Sequence, residues 1–488
     1  MARDFVDAHD LWTAADREAA SSLLGEVRTR GLRAVRFAFV DHHGLVRVKT
    51  LSACAVESSM RAGVRMVGTL LLKDSSNRTA WPVFAEGGAP GDAALAGASD
   101  VVLVADPSTF RVLPWLPDTG WVQCDAYHPD GRPVAYDTRR VLREALSALE
   151  ARGLRWVSGL EVEFHVYRLD PAASPRAQTE AWPADPPTVA PLEGGYQLLS
   201  EQRADRLEPA LDELRRHAQA LGLPVRSVEA ELGPSQCEFV FDAMEGLASA
   251  DAMALFRSAA KQAMARRGLH ATFMCKPQLP GAMASGWHLH QSLRDAGGAN
   301  AFMPDASERD PAHARHHLSA TGAAWLAGLL AHAPAYAAFA APTINAYRRY
   351  QRAHVLAPNH VVWGADNRGA MLRVIGAPAD PATRIENRIG EPAANPYLCM
   401  AAQIHAGLDG LAAQADPGPA CASPYATSAA RLPSSLDAAL DALDASACMR
   451  RALGDARVDW FLRIKRFELA RFHAEVTAWE QREYFEHY

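Results

Sequence analysis

The chain has 488 residues, 49% of them hydrophobic, and a formal net charge of −6 from 50 basic and 56 acidic side chains. This length and apolar content suffice for a large core and two or more domains, and the interspersed charges exclude an electrostatic footprint for nucleic acid. Seven scattered cysteines without a CxxC pair exclude a disulfide framework or zinc knuckle and fit a reducing cytoplasm, and the charged N-terminal MARDFVDAHDLW lacks the apolar core of a signal peptide.

In chain order, a helical stretch to about Arg30 leads into AVRFAFVD and LVRVKTL around His42-His43-Gly44, a predicted β-hairpin. VVLVADPST and WVQCDAY add strands that close near Gly131. From about residue 135 long helices alternate with short strands. YDTRRVLREALSALEARG is a helix stopping at Gly153, and WVSGLEVEFHVYRL is a strand or strand pair. Six prolines from Pro171 to Pro191 mark a surface loop or insertion. A helix from about Arg206 to Leu221 precedes LPVRSVEAELGPSQCEFVF, two strands around Gly233-Pro234. A helix from Asp251 ends at Arg266-Arg267-Gly268, with cations on its C-terminal dipole, before the strand LHATFMCKP. TGAAWLAGLLAHAPAYAAFAAP, residues 321–342, is membrane-like in composition, but His332, Pro334 and its alanines predict a buried helix and no span. ADPGPACASPYATSAARLPSS, about 415–435, reads as a flexible connection. VDWFLRIKRFELARFHAEVTAWEQREYF reads as an amphipathic helix with Trp460, Ile464, Phe467, Val476 and Trp479 among its apolar positions.

Four short motifs carry chemistry. Glu161 and Glu163 in GLEVEF share one strand face, as do His288 and His290 in GWHLH and Arg384, Glu386 and Arg388 in RIENR. Glu231 and Glu238 flank the Gly-Pro turn of ELGPSQCE. Singly, each pattern also suits a solvated strand or a structural histidine. Together, five acids and two histidines without cysteine ligands describe an oxygen-rich site for Mg²⁺ or Mn²⁺, with imidazole leaning toward Mn²⁺. Two or more ions near clustered arginines are what phosphoryl transfer requires. Neither GxxxxGK[ST] nor GxGxxG follows a strand, which argues against P-loop, kinase and Rossmann nucleotide sites.

These motifs, with DPSTFRVLPW, ATFMCKP followed by ASGWHLHQSL, NAYRR, WGADNRGAMLRV and RIENRIGEPAANPYLCMAAQIHAGLDGL, resemble in order the signature segments of the glutamine synthetase family over most of the chain. The resemblance implies an α+β fold: an N-terminal β-grasp domain, residues 1–133, then a catalytic domain, residues 134–488, whose antiparallel sheet lines an active-site funnel. It implies a homo-oligomer, usually a dodecamer of two stacked hexameric rings with each site at a subunit interface; the reading of residues 321–342 as a buried helix adds the expectation of no membrane partner. ATP would be co-substrate with L-glutamate, and two or three Mg²⁺ or Mn²⁺ ions would be bound. Carried over residue by residue, Glu163, Glu231 and Glu238 would hold metal beside glutamate, and Glu161, His288 and Glu386 would hold ions on the ATP phosphates. His290 and Ser292 would lie along the nucleotide, and Arg368, Arg373 and Arg384 would meet phosphates and the transferring group. Arg349 and Arg388 would bind substrate carboxylates through their planar forks. Arg368, Arg349 and Glu386 form the implied catalytic set.

The chain departs from the family's glutamine-forming pattern where an acid is expected before an Ala-Pro. Here the sequence reads Val355-Leu356-Ala357-Pro358, and Asp74 in LKDSSN is the candidate for a second expected acid. The loop GAMASGWH brings Met283 and Trp287 toward the substrate, and His354 is either a base for the amine or structural. Losing a carboxylate removes the counter-charge and base for ammonium, and apolar replacements favour a carbon-bearing nucleophile. The expected activity is ATP-dependent ligation of the γ-carboxylate of L-glutamate to an alkyl-, aryl- or polyamine through a γ-glutamyl phosphate. The alternatives are a glutamine synthetase using ammonium and a catalytically silent regulatory homologue.

Overall fold

The computed structural model describes residues 4–89, 93–170, 183, 185–304, 317–350, 356–377 and 379–488. Thus His354 and Val355 lie outside the described residues, as does most of the proline-rich stretch.

In the N-terminal part, helices α1 (Phe5–Ala8) and α2 (Ala14–Thr29) precede the hairpin β1 (Ala34–Val40) and β2 (Val46–Ser52). Helix α3 (Ala53–Ala62), β3 (Val64–Val67), β4 (Asp100–Leu113) and β5 (Leu116–Tyr127) complete a five-stranded sheet of order β2-β1-β5-β4-β3. Its β1–β5 pair is parallel and the others are antiparallel.

The rest of the chain builds a nine-stranded sheet. Helix α4 (Thr138–Glu150) leads to β6 (Arg155–Leu169), then β7 (Val189–Pro191), α5 (Glu201–Ala220), β8 (Val225–Ala230) and β9 (Gln236–Glu245). Next come α6 (Ala248–Arg266), β10 (Leu269–Thr272), β11 (Trp287–Arg294), α7 (Ala320–Ala331) and α8 (Ala333–Ala340). Strands β12 (Trp363–Ala365), β13 (Leu372–Ile375) and β14 (Arg384–Gly390) precede the helices α9 (Pro396–Ala413), α10 (Leu436–Asp444), α11 (Ala447–Leu453), α12 (Asp455–His473) and α13 (Ala478–Tyr484). The sheet order is β12-β13-β14-β11-β6-β9-β8, with β7 and β10 also on β6, and only β12–β13 is parallel. Arg139 of α4, itself buried, pairs with Asp106 and Asp125 of the first sheet and Asp251 of α6, tying the two parts together.

Three expectations change. Residues 321–342 form two helices, α7 and α8, bent by 77°, because Pro334 lacks an N–H and starts a new helix in its first turn. Both are largely buried, and among the described residues no single helix is long and apolar enough to cross a membrane. The C-terminal amphipathic run also divides, since Thr477 and Glu480 form a capping box that begins α13. Trp460 and Ile464 stay in the core, but Val476 and Trp479 are 77% and 54% exposed. Finally, the connection around 415–435 is irregular yet anchored: Val361 N–H donates to the Ala430 carbonyl and Cys421 N–H to that of Trp363, each at 2.8 Å.

Candidate active site

Strand alternation and register together gather the motif residues on one face. Across β6 and β9, Glu163 stands opposite Glu238; across β8 and β9, Glu238 stands opposite Glu229. His288 of β11 faces Glu161 of β6, and on the other side His290 faces Glu386 of β14, which faces Arg373 of β13. These strands line a cavity of about 1550 Å³, which also takes in Ser292, Arg349, Arg368, Arg384 and Arg388.

Glu161 is the hub. It accepts from His288 Nδ1 at 3.1 Å and from His290 Nε2 at 2.8 Å. Burial opposes its ionisation, but these two hydrogen bonds prevail and hold its carboxyl far below the usual carboxylate range. Arg384 Nε donates to His290 Nδ1 at 3.0 Å, which fixes that ring as the Nε2–H tautomer. Burial and the neighbouring Arg388 cation lower His288 to about 4, so its imidazole is neutral and able to act as a ligand. Glu386 is wholly buried and pairs with both Arg373 and Arg388. Burial alone would favour its neutral form; the neighbouring Arg388 cation opposes that, and the carboxyl lies below its ordinary value.

For two other acids burial wins. Burial, then the charges of Glu163, Glu161 and Glu231, push Glu238 up to about 10. Burial also lifts Glu163 to about 7 against the pull of Arg349. Crowded carboxyls held from ionising by one another are the surroundings a divalent cation relieves. Ligand atoms of Glu161, His290 and Glu386 lie within 4.8 Å of one another, as do those of Glu161, Glu238 and His288, and of Glu229, Glu231 and Glu238. The donor set is therefore carboxylate-rich with the His288 imidazole beside it, and it fits a hard divalent cation.

Glu163 belongs to none of these triplets. Its Oε2 accepts the Gly286 N–H at 2.8 Å, and its Oε1 lies 3.8 Å from His288 Nε2. A Cβ at Gly286 would stand 2.5 Å from an Arg349 nitrogen, so a side chain there would displace that guanidinium. Arg349 Nη1 donates to the Gly390 carbonyl at 2.9 Å, which positions its fork at the cavity wall. The buried Arg388 Nε has no hydrogen-bond partner among the described residues.

Two expectations for the substrate pocket meet different fates. Leu356 lines the cavity with 69% of its surface exposed. Trp287, in contrast, is only 1% exposed and belongs to the hydrophobic core, because on β11 it points away from the face that carries His288. Asp74 is also buried away from the cavity; it accepts the N–H groups of Ser76 and Arg78 and pairs with Arg471. Sequence reasoning missed Glu229, although its i, i+2 spacing to Glu231 repeats the signal of Glu161 and Glu163. It also missed Leu198, Leu199 and Tyr425, which line the cavity from segments without a motif.

The sequence profile of the glutamine synthetase catalytic domain matches residues 135–484. The chain belongs to the glutamine synthetase family. It is 40% identical to the γ-glutamylanilide synthase of an Acinetobacter species over 99% of this chain and 98% of that protein. It is 32% identical to the glutamate–methylamine ligase of Methyloversatilis universalis, covering 92% of this chain and 95% of the relative. Among solved structures, ligand-free GmaS superposes with a TM-score of 0.78 at 29% identity, covering 95% of this chain and 99% of that one.

Proposed function

We propose that the chain is an ATP-dependent ligase that joins the γ-carboxylate of L-glutamate to an organic amine, in preference to ammonium, through a γ-glutamyl phosphate. The observation that carries this reading is Leu356, an exposed apolar side chain on the cavity wall where glutamine-forming relatives of this pattern would place an acid. The relatives named for anilide and methylamide synthesis support the same reading.

Arg349 and Arg388, both on the cavity wall, would take the carboxylates of glutamate through their guanidinium forks. Arg384 and Arg373 would contact the phosphates of ATP, and Arg368 would stabilise charge developing during transfer and attack. Two or three Mg²⁺ or Mn²⁺ ions, held by Glu161, Glu163, Glu231, Glu238, His288 and Glu386, would neutralise charge on the phosphates. Attack by the amine nitrogen on the acyl carbon forms the amide and releases phosphate. The apolar lining at Leu356 gives the amine's carbon group a place and displaces water that would otherwise hydrolyse the acyl phosphate.

We further propose that residues 1–133 are a β-grasp domain and 134–488 the catalytic domain; the mixed first sheet and the extent of the profile match support this division. Seven free cysteines support a reducing cytoplasm. A dodecamer of two stacked hexamers rests on family resemblance.

The test is phosphate release with glutamate and ATP across ammonium, putrescine, an alkylamine and aniline. Turnover confined to ammonium would return the chain to glutamine synthesis. Absence of amine-stimulated turnover with all four would favour a silent homologue.

A further inference from the structure

The wall near Arg349 and Arg388 contains an aromatic residue to which no motif pointed. The stretch from Gly418 to Leu432, between α9 and α10, is fastened to residues 359–363. Trp363 Nε1 donates to the Gly418 carbonyl at 3.1 Å, and Leu432 N–H donates to that of Asn359 at 3.0 Å. The bonds from Cys421 and to Ala430 add anchors between these ends. Secured in this way, the strap carries Tyr425 over the cavity.

The Tyr425 ring rests against Gly369, where a Cβ would stand 2.9 Å from its Cε2. The absence of a side chain at 369 thus lets an aromatic ring settle beside Arg368. Burial raises the phenol's pKa, while the charges of Arg388 and Arg349, which line the same cavity, lower it. Even so, the residue stays 49% exposed.

Tyr425 and Leu356 therefore present large apolar surfaces to a cavity otherwise rich in charge. Neither 356–364 nor 418–432 contains a carboxylate. A second ammonium group on the amine would find no counter-charge on these segments and would meet repulsion from Arg349 and Arg388. A flat, uncharged group would cover the exposed apolar area and could stack on the ring. An arylamine is largely neutral near pH 7, so it also needs little help from a base.

We propose that Tyr425 is a specificity-determining residue of the amine subsite, forming with Leu356 an apolar slot for a primary amine that bears an aromatic ring. The inference rests on the organic-amine ligase reading and narrows it.

The experiment compares kcat/KM of the full-length enzyme for aniline, methylamine and ammonium at saturating glutamate, ATP and Mg²⁺. It uses Tyr425→Ala, Tyr425→Leu and Tyr425→Phe, with thermal unfolding confirming that each variant is folded. Tyr425→Ala should lower the aniline-to-methylamine ratio about tenfold, the scale of one lost aromatic contact plus its buried area. Tyr425→Leu should lower it less, and Tyr425→Phe should preserve it, because the ring and not the hydroxyl selects. A uniform loss across all amines in folded Ala and Leu variants, or a rise in the KM for glutamate with an unchanged ratio, would overturn the proposal. Wild-type turnover of methylamine without aniline would sink this inference and leave the ligase reading intact. Turnover of ammonium alone would sink both.

Discussion

Arg373 and Glu386 stand opposite each other on β13 and β14, and Arg373 Nη1 donates to Glu386 Oε2 at 3.0 Å while the carboxylate is sealed from solvent. Breaking a buried pair by removing one partner leaves an uncompensated charge, at a cost of about 3–5 kcal/mol. Arg388 also touches Glu386, so Arg373→Ala should fall at the lower end of that range. Arg373→Lys keeps the charge but loses the fork, and should fold while turning over at least about tenfold more slowly. Denaturant unfolding and kcat measured together check both; equal rates for wild type and the lysine variant would contradict the phosphate-binding role.

Glu391 gives stability a pH slope. It is buried and accepts from the Thr343 N–H and hydroxyl, both at 2.9 Å, which anchors the turn leading to Arg349. Burial nevertheless pushes its carboxyl up from 4.5 to about 7. Between those values the folded chain binds more protons than the unfolded one, so this group's contribution to stability is full below about pH 4.5 and declines as pH rises toward 7. The slope is about 1.4 kcal/mol per pH unit. Glu391→Gln keeps a hydrogen-bond acceptor and cannot titrate, so its urea midpoint should fall less than that of wild type between pH 5 and 7.5. Parallel curves would remove Glu391 from the explanation.

Trp287 should act on folding and not on substrate choice. Truncation to alanine in this core leaves a cavity and should cost about 3–5 kcal/mol. Its Nε1 has no partner among the described residues, so Trp287→Phe forfeits no hydrogen bond seen there and should fold with milder loss. The ratio of rates with aniline and methylamine should be unchanged in the phenylalanine variant; a shift of tenfold would place the indole at the substrate after all.

Restoring an acid at the amine end should move selectivity back. Leu356→Glu adds a counter-charge for ammonium on the exposed cavity wall, and the kcat/KM ratio of ammonium to aniline should rise at least about tenfold. A fall in every rate with no change in ratio would show that position 356 does not face the amine.

Glu238, opposite both Glu163 and Glu229, should reveal the metal through linkage. Mg²⁺ or Mn²⁺ at 100 times its dissociation constant stabilises the fold by about 2.7 kcal/mol. With EDTA, Glu238→Gln should melt close to wild type, since burial and then repulsion from neighbouring acids already keep that carboxyl from ionising. With Mn²⁺ added, wild type should gain far more in Tm than the variant. Equal gains would exclude Glu238 as a ligand.

Much of this site was legible from local pattern. GLEVEF, GWHLH and RIENR place alternate side chains on one face wherever those segments become strands, and they do. The same rule, applied one residue further, separates Trp287 from His288, since neighbours on a strand point to opposite faces. The long alanine-rich run misled as a single helix because composition signals burial and says little about where Pro334 restarts the axis. Val476 and Trp479 fit one amphipathic stripe only if the helix continues, and the capping box at Thr477 ends that continuity.

By itself the sequence determined which residue types share a strand face, that they suit divalent cations and phosphate, and that an acid is absent beside Ala357-Pro358. Those are local facts, set by the two-residue strand period and by side-chain chemistry. The tertiary structure decided which acid faces which: Glu238 lies between Glu163 and Glu229, and Glu161 receives both histidines. It also brought Tyr425 to a wall formed by residues far away in the chain. Register and strap placement arise from hydrogen bonds and packing between distant segments, and no local pattern encodes them.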